Sequence, residues 1–228
     1  MAVRCIIAAS RLWYQDSADR LSSRTGGIFK YLHQPEQLTE ELLQGFAPDY
    51  IFFPHWSWII PASVLKKYRC VIFHMTDLPY GRGGSPLQNL IIRGHTETMI
   101  SAIDGVNELD AGPVYLKRPL SLLGNAEEIF LRAVPIIEDM ILEIASVSIQ
   151  PAPQSGPVTI FKRRNPDQGD LSGLSSLEKI YDHIRMLDAA GYPSAFVEIG
   201  RMRLEFSRAS LRFGRIEANV VITINEDE

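Results

Sequence analysis

The sequence predicts an α/β fold, a doubly wound, mostly parallel sheet followed by a smaller C-terminal α+β part, and three observations carry that reading. Short apolar runs alternate with helical segments through the first 120 or so residues, the pattern of strands joined by crossover helices. Tyr50 to Phe53 is apolar throughout, as a strand buried on both faces of a parallel sheet must be. Gln150 to Pro157 is rich in proline, glycine and serine, a linker composition, and it divides the chain into residues 1–149, a linker at 150–157, and residues 158–228.

Arg4 to Ala9 reads as the first strand, followed by a helix through Leu12 to Leu21 and a break at Thr25-Gly26-Gly27. Ile28 to Leu32 is a second short strand. A helix over Pro35 to Gln44 starts after Gln34 with proline in its first turn and ends at Gly45, the usual helix punctuation. Cys70 to Phe73 is an apolar run that stops at His74, and Thr76, Asp77, Pro79 and Gly81 then break it. The imidazole is therefore expected at the strand's C-terminal end, the edge of an open α/β sheet at which ligands bind. Ser85 to Arg93 reads as a helix, Thr98 to Ile103 as the next strand, and Leu109 to Pro113 as the loop after it, from which Asp110 can fold back towards His74. Asn125 caps a helix that runs to about Ile149, with Glu127 and Glu128 in its first turn, where carboxylates suit the helix dipole. Beyond the linker come an acidic, serine-rich loop, a helix from about Ser176 to Ala190, and the strand-like runs AFVEI, RLEFSRA and ANVVITI.

The composition, 46% hydrophobic and 22% charged, is that of an ordinary globular protein. A net charge of -4 weighs against a nucleic-acid partner, since neutralising phosphates takes clustered Lys and Arg. Residues 151–228 hold ten basic and eleven acidic side chains, so no basic tail is present. Cys5 and Cys70 lie in apolar runs without zinc-ligand spacing and read as buried, reduced thiols. No metal is expected. The N-terminus lacks the features of a signal peptide and no apolar run is long enough to cross a bilayer, so the expected compartment is the cytoplasm and no membrane partner is expected.

His74-Met75-Thr76-Asp77-Leu78-Pro79, a glycine-rich turn, a helix, and then Leu109-Asp110-Ala111-Gly112-Pro113 resemble the N10-formyltetrahydrofolate-dependent formyltransferases. That family includes methionyl-tRNA, glycinamide ribonucleotide and sugar N-formyltransferases. Its pattern is Asn-x-His-x-Ser-Leu-Leu-Pro followed by Leu-Asp-x-Gly-Pro. Here Thr76 stands for the serine and Asp77 for the first leucine. The asparagine position, two residues before the histidine, holds Ile72, which can neither polarise a carbonyl nor move a proton. The resemblance runs from about residue 46 to 124. A second stretch from Phe161 onward is similar to the start of the family's barrel-like C-terminal domain.

The resemblance implies formyl transfer from N10-formyltetrahydrofolate to a primary amine, with His74 assisting proton removal and Asp110 supporting it. A neutral imidazole suits a proton relay near neutral pH; without the match, Asp110 reads as a turn carboxylate. His55, in the turn after the third strand, is a candidate donor to the developing oxyanion in place of the missing asparagine, with a surface-turn role equally open. Asn89 and Asn107 are weaker candidates. Trp56, Ser57, Trp58, Ile59 and Ile60 correspond to the segment that lines the pterin site, where the two tryptophans either stack on the ligand or join the core. Thr76, Asp77, Leu78 and Pro79, and Gly105, Val106, Asn107 and Glu108, correspond to its other walls. Tyr80, Gly81, Arg82, Gly83, Gly84 and Ser85 form a glycine-rich turn facing the acceptor. Lys162, Arg163 and Arg164 are further candidates on that side, although a charge run is usually a solvated face.

A chain without a basic tail fits a small acceptor, and the expected one is a nucleotide-linked amino sugar, by similarity to the sugar N-formyltransferases, which also suggest a homodimer. Two alternatives stand beside it: formylation of methionyl-tRNA or of an amino-acid or peptide precursor, and, given Ile72, a folate-binding homologue without activity.

Overall fold

The computed structural model describes residues 2–147 and 149–224. Along the chain run β1 (Arg4–Ala8), α1 (Ser17–Thr25), β2 (Ile28–Leu32), α2 (Glu40–Phe46), β3 (Tyr50–Pro54), α3 (Ala62–Lys67), β4 (Cys70–His74) and β5 (Arg82–Gly83). Then come α4 (Pro86–Ile91), β6 (Glu97–Asp104), β7 (Val114–Ser121), α5 (Ala126–Ser146), β8 (Ile160–Phe161), α6 (Leu177–Arg185), β9 (Ala195–Ile199), β10 (Met202–Arg212) and β11 (Arg215–Ile224). The chain forms two compact units. One comprises residues 1–83, 98–120 and 131–160; the other comprises 84–97, 121–130 and 161–228.

The first unit is built on a six-stranded sheet in the order β2-β1-β3-β4-β6-β7. β1 pairs parallel with β2 and β3, and β3 pairs parallel with β4. β4 and β6 are antiparallel, with His74 opposite Ser101 and Val71 opposite Asp104. The mostly parallel α/β sheet read from the sequence is therefore present, with the antiparallel β4–β6 pair next to the site.

Successive side chains on a strand face opposite ways, and the register aligns Ile6, Ile51 and Cys70 on one face with Phe53 beside Ile72. That face closes over a core of Ile6, Ala8, Leu32, Leu38, Leu43, Ile51, Phe53, Val64 and Cys70, with Ile72 and Trp56 packed against it. Cys5, Ile7, Phe52, Val71 and Phe73 point the other way and are equally buried. Each such side chain contributes roughly 1.5–3 kcal/mol by leaving water, which is why these strands read as unbroken apolar runs. Both cysteines are free and buried, and burial pushes each thiol up to about 12.

Several boundaries differ from expectation, and local hydrogen bonds explain them. The helix expected over Leu12–Leu21 is a short 3-10 turn at Leu12–Tyr14 and then α1, which ends at Gly26 in the left-handed conformation, φ 69°. The helix expected over Pro35–Gln44 also divides. Gln34 and Gln37 cap a 3-10 turn reciprocally, and the Thr39 side chain accepts from the Leu42 amide to start α2. Gly45 lies inside that helix, and Ala47, at φ 49°, ends it instead. The helix expected over Ser85–Arg93 shortens to Pro86–Ile91, and the one expected to reach Ile149 stops at Ser146. Asn125 does cap it: its side chain accepts from the Glu128 amide while Glu128 accepts from the Asn125 amide, both at 2.9 Å.

The second unit holds an antiparallel sheet in the order β11-β10-β9, with α6 capped by Ser176. Its register places Ile224, Met202 and Ile199 in one row and Ile222, Leu204 and Val197 in the next. One face of the sheet is thus apolar, while Glu198, Arg203 and Glu205 share the opposite face as an ion-paired cluster. Among the described residues no helix is long and apolar enough to cross a membrane.

Candidate active site

His74 ends β4 on the same face as Cys70 and Ile72, because the three are spaced by two along the strand. Beyond it the chain turns sharply, and Ser101 pins the turn. Its hydroxyl donates to the Thr76 carbonyl at 2.7 Å and accepts from the Leu78 amide at 3.4 Å. Lys117 holds the outer side of the turn, reaching the Asp77 carboxylate at 2.5 Å and the Leu78 carbonyl at 2.6 Å. Thr76, Leu78 and Pro79 are buried and Asp77 is exposed.

The Gly81 carbonyl meets the edge of the imidazole, 2.8 Å from His74 Nε2. A carbonyl only accepts, so Nε2 carries a proton, and Nδ1 of the neutral ring is a lone pair. Nδ1 faces Asp110 Oδ2 at 3.6 Å, within ion-pair range and beyond hydrogen-bond length. Two acceptors therefore face each other across a gap that one added proton would turn into an attraction. Both side chains are under a tenth exposed, so that attraction would be weakly screened.

Because β6 runs antiparallel to β4, the loop after it starts at the far end of β4 and must return. Gly105 donates to the Cys70 carbonyl at 2.7 Å, and a side chain there would strike Leu65 at 2.7 Å and Cys70 at 2.9 Å. Residues 106–109 then lead back, and Asp110 takes φ 51°, a left-handed conformation that asparagine and aspartate tolerate better than most residues. Its Oδ2 accepts from the Gly83 amide at 2.9 Å. Gly112 closes the loop so tightly that an added Cβ would sit 1.8 Å from the Asp104 carbonyl oxygen. The fold-back expected of Asp110 is present, by this route.

The remaining candidates in the first unit take up varied positions. Pro54 pairs with Phe73, so His55 to Ile60 emerge at the sheet edge that carries His74. His55 itself has φ 52°. Its ring packs edge-on against Trp13 at 5.3 Å, and its carbonyl accepts from the Ser10 amide and hydroxyl. Burial, and then the charge of Arg11, lower its pKa to about 3, so the ring is neutral. The pair of His74 and Asp110 is thus seen directly, and His55 lies at the same sheet edge, held by Trp13 and Ser10.

Trp56 packs edge-on against Phe53 and Trp58 and has a buried indole nitrogen without a hydrogen-bond partner. Trp58 is 38% exposed, and Ile59 is 94% exposed. Of the two roles open to the tryptophans, Trp56 largely joins the core and Trp58 offers a face to solvent. Ser57 is exposed and bonds Ser10, and Ile60 is half-buried against the core. Val106 is half-buried; Asn107 and Glu108 are exposed.

Tyr80 is half-buried and Gly81 buried. The Gly81 and Arg82 amides both donate to the Thr159 carbonyl at 3.0 Å. The Arg82 guanidinium does not point at solvent as a free phosphate clamp: it binds Gln154 Oε1 at 2.8 and 3.0 Å, with Glu108 at 3.4 Å.

In the second unit, Gly84 passes so close to Arg163 that a Cβ would lie 2.6 Å from its Cα. Ser85 Oγ accepts from the Arg164 amide at 3.1 Å. The Asn89 amide donates to the carbonyls of Gly84, Ser85 and Lys162, which removes it as an oxyanion donor. Lys162 and Arg163 are exposed, and the Arg164 side chain donates to the Gln168 carbonyl. A cavity of ≈ 370 Å³ in this unit is lined by Asn125, Tyr181, Arg185 and Arg208 among others, and one of ≈ 80 Å³ in the first unit by Leu43, Val64 and Tyr68 among others. No expected site residue lines either. Among the described residues no group of three or more His, Cys, Asp or Glu could hold a metal ion.

Sequence reasoning missed Ser101, Lys117 and Gln154. Ser101 is a hydroxyl inside an apolar strand, a detectable anomaly; Gln154 sits in a stretch whose composition signals only a linker.

A family model described as formyl transferase matches residues 15–128, and one described as the C-terminal domain of methionyl-tRNA formyltransferase matches residues 166–223. The structure of a methionyl-tRNA formyltransferase from Clostridium thermocellum is 47% identical, with a TM-score of 0.95 over 98% of this chain and 100% of that one. The methionyl-tRNA formyltransferase of Thermodesulfovibrio yellowstonii is 24% identical over 203 residues, 84% of this chain and 65% of that protein. The chain thus spans just under two thirds of the length of such relatives. HypX from Aquifex aeolicus, solved with tetrahydrofolic acid, shares the fold at 19% identity, with a TM-score of 0.77 over 92% of this chain and 38% of that one.

Proposed function

The chain belongs to the formyl transferase family, and we propose that it moves a formyl group from N10-formyltetrahydrofolate to the amine of a methionyl-tRNA. The observation that carries the chemistry is the buried His74–Asp110 pair, with Nδ1 and Oδ2 3.6 Å apart. When bound, N10-formyltetrahydrofolate supplies an electrophilic formyl carbon. His74 Nδ1 takes the proton released by the attacking amine, and the imidazolium so formed gains the Asp110 carboxylate as a counter-ion. It can return that proton to the folate nitrogen as the bond to the formyl carbon breaks and tetrahydrofolate leaves. Gly81 keeps Nε2 occupied, which leaves Nδ1 as the basic nitrogen. His55, at the same sheet edge, is proposed as the donor to the developing oxyanion.

The residues present fit a folate. A flat heteroaromatic ring with a polar edge asks for apolar walls and a few directed polar groups. Trp58 and Ile60 offer the walls, the orphaned Trp56 indole nitrogen is a donor without a partner, and the 105–108 loop offers backbone groups. Tyr80 to Gly83 lie on the acceptor side.

The acceptor follows the names of the relatives, including the 47% identical one that this chain matches end to end. The relatives' names favour this acceptor over the amino sugar expected by similarity to the sugar N-formyltransferases, and over the exclusion of nucleic acid expected from charge. A nucleotide-linked amino sugar remains as the second reading because residues 151–228 carry ten basic against eleven acidic side chains, a poor balance for tRNA. Supplying the purified protein with N10-formyltetrahydrofolate and either acceptor, and reading formylated product by mass spectrometry, separates the two. Product on methionyl-tRNA alone supports the first reading; product on the sugar alone replaces it.

A further inference from the structure

Gln154 lies in the proline-rich stretch that composition marks as a linker, yet its side chain is saturated with hydrogen bonds inside the first unit. Nε2 donates to the carbonyls of Asp110 and Gly112, each at 2.8 Å. Oε1 accepts from Arg82 Nε at 3.0 Å and Nη2 at 2.8 Å. A primary amide has two donor hydrogens and two acceptor lone pairs, and all four are used. The orientation is unambiguous, because the nitrogen faces only acceptors and the oxygen faces only donors.

The two carbonyls held by Nε2 flank the bend that presents the Asp110 carboxylate. Asp110 is in a left-handed conformation, φ 51°, sparsely populated by residues other than glycine, and such conformations persist where their surroundings over-determine them. Gln154 provides that constraint from outside the loop. Through Arg82 it also fixes the segment whose next amide, Gly83, donates to Asp110 Oδ2 at 2.9 Å. One side chain therefore holds both the backbone carrying the carboxylate and the strand that hydrogen-bonds it.

We propose that Gln154 is a positioning residue for formyl transfer, keeping Asp110 within reach of His74 without touching substrate. The proposal rests on the roles given above to His74 and Asp110, and its test includes a measurement that needs no turnover. Amide hydrogen exchange at Gly83 reports the bond to Asp110 directly. In Gln154→Ala, exchange at Gly83 should quicken about tenfold or more, as in Asp110→Ala, while the β4 amides of Ile72 and Phe73 stay protected. Gln154→Glu separates the two ends of the amide: it keeps an acceptor for Arg82 and sets oxygen against the Asp110 and Gly112 carbonyls. It should behave like Gln154→Ala.

In turnover, both variants should lower kcat by roughly 10- to 100-fold, the scale of an ångström-level misplacement, with KM for the folate within about twofold. Adding Gln154→Ala to Asp110→Asn should cost little more. Unchanged Gly83 exchange in Gln154→Ala overturns the proposal, and so does loss of protection that spreads equally through β4, which would mark a structural role alone. If the wild-type protein formylates no amine, the reading of function fails by itself, and the exchange measurement still decides whether Gln154 places Asp110.

Discussion

Ile72 stands where the family resemblance expects an asparagine, and the structure attaches a cost to restoring that amide. Its side chain packs against the core that includes Phe53 and Cys70, two positions before His74 on the same face of β4. Ile72→Asn would put the family's amide on that face while leaving a polar group among aliphatic neighbours, at a cost of roughly 1–3 kcal/mol. The urea midpoint should fall accordingly; an unchanged midpoint would show that the position is wetter than its packing indicates. His55 offers a test by pH. Its ring titrates near the ordinary 6.5 when unfolded and at about 3 when folded, so between those values the unfolded chain binds the extra proton. Its contribution to stability is complete above 6.5 and is lost as pH falls towards 3. His55→Asn, which tolerates the left-handed backbone, should flatten the acid limb of stability measured by denaturant titration. An acid limb as steep as wild type would remove His55 as a buried neutral group.

At the scale of elements, the antiparallel turn of β6 decides the site, because the loop after it leaves from the wrong end of β4 and has to come back. Gly112 makes the return possible: with a Cβ placed 1.8 Å from the Asp104 carbonyl, Gly112→Ala has to force the loop open. The expected outcome is a folded sheet with lost activity and a stability loss of about 1–3 kcal/mol, read by circular dichroism and thermal melting alongside turnover. Full activity would mean that the loop has another path. These elements show what the sequence could and could not disclose. Strands β1, β3 and β4 were legible because both faces are buried and their central positions are apolar. Helix ends were not, because Gln34, Thr39 and Ala47 act through side-chain and backbone hydrogen bonds that periodicity does not register. The motif located His74 and Asp110, but the direction of β6 depends on long-range pairing, and Gln154 reaches the site from a stretch whose composition describes flexibility.

At the scale of the whole molecule, a six-stranded sheet carries the proposed chemistry and a separate three-stranded sheet forms the end of the chain, matching the two family models in order. The chain covers 100% of the structure of one relative and 65% of the length of another. The most direct test is formyl transfer itself, followed as release of tetrahydrofolate from N10-formyltetrahydrofolate in the presence of methionyl-tRNA, for wild type, His74→Gln and Asp110→Asn. The account predicts turnover by the wild type and a fall of about 10²- to 10⁴-fold in each variant, the usual worth of a positioned proton acceptor. Variants as fast as wild type, with their folds intact, would contradict it.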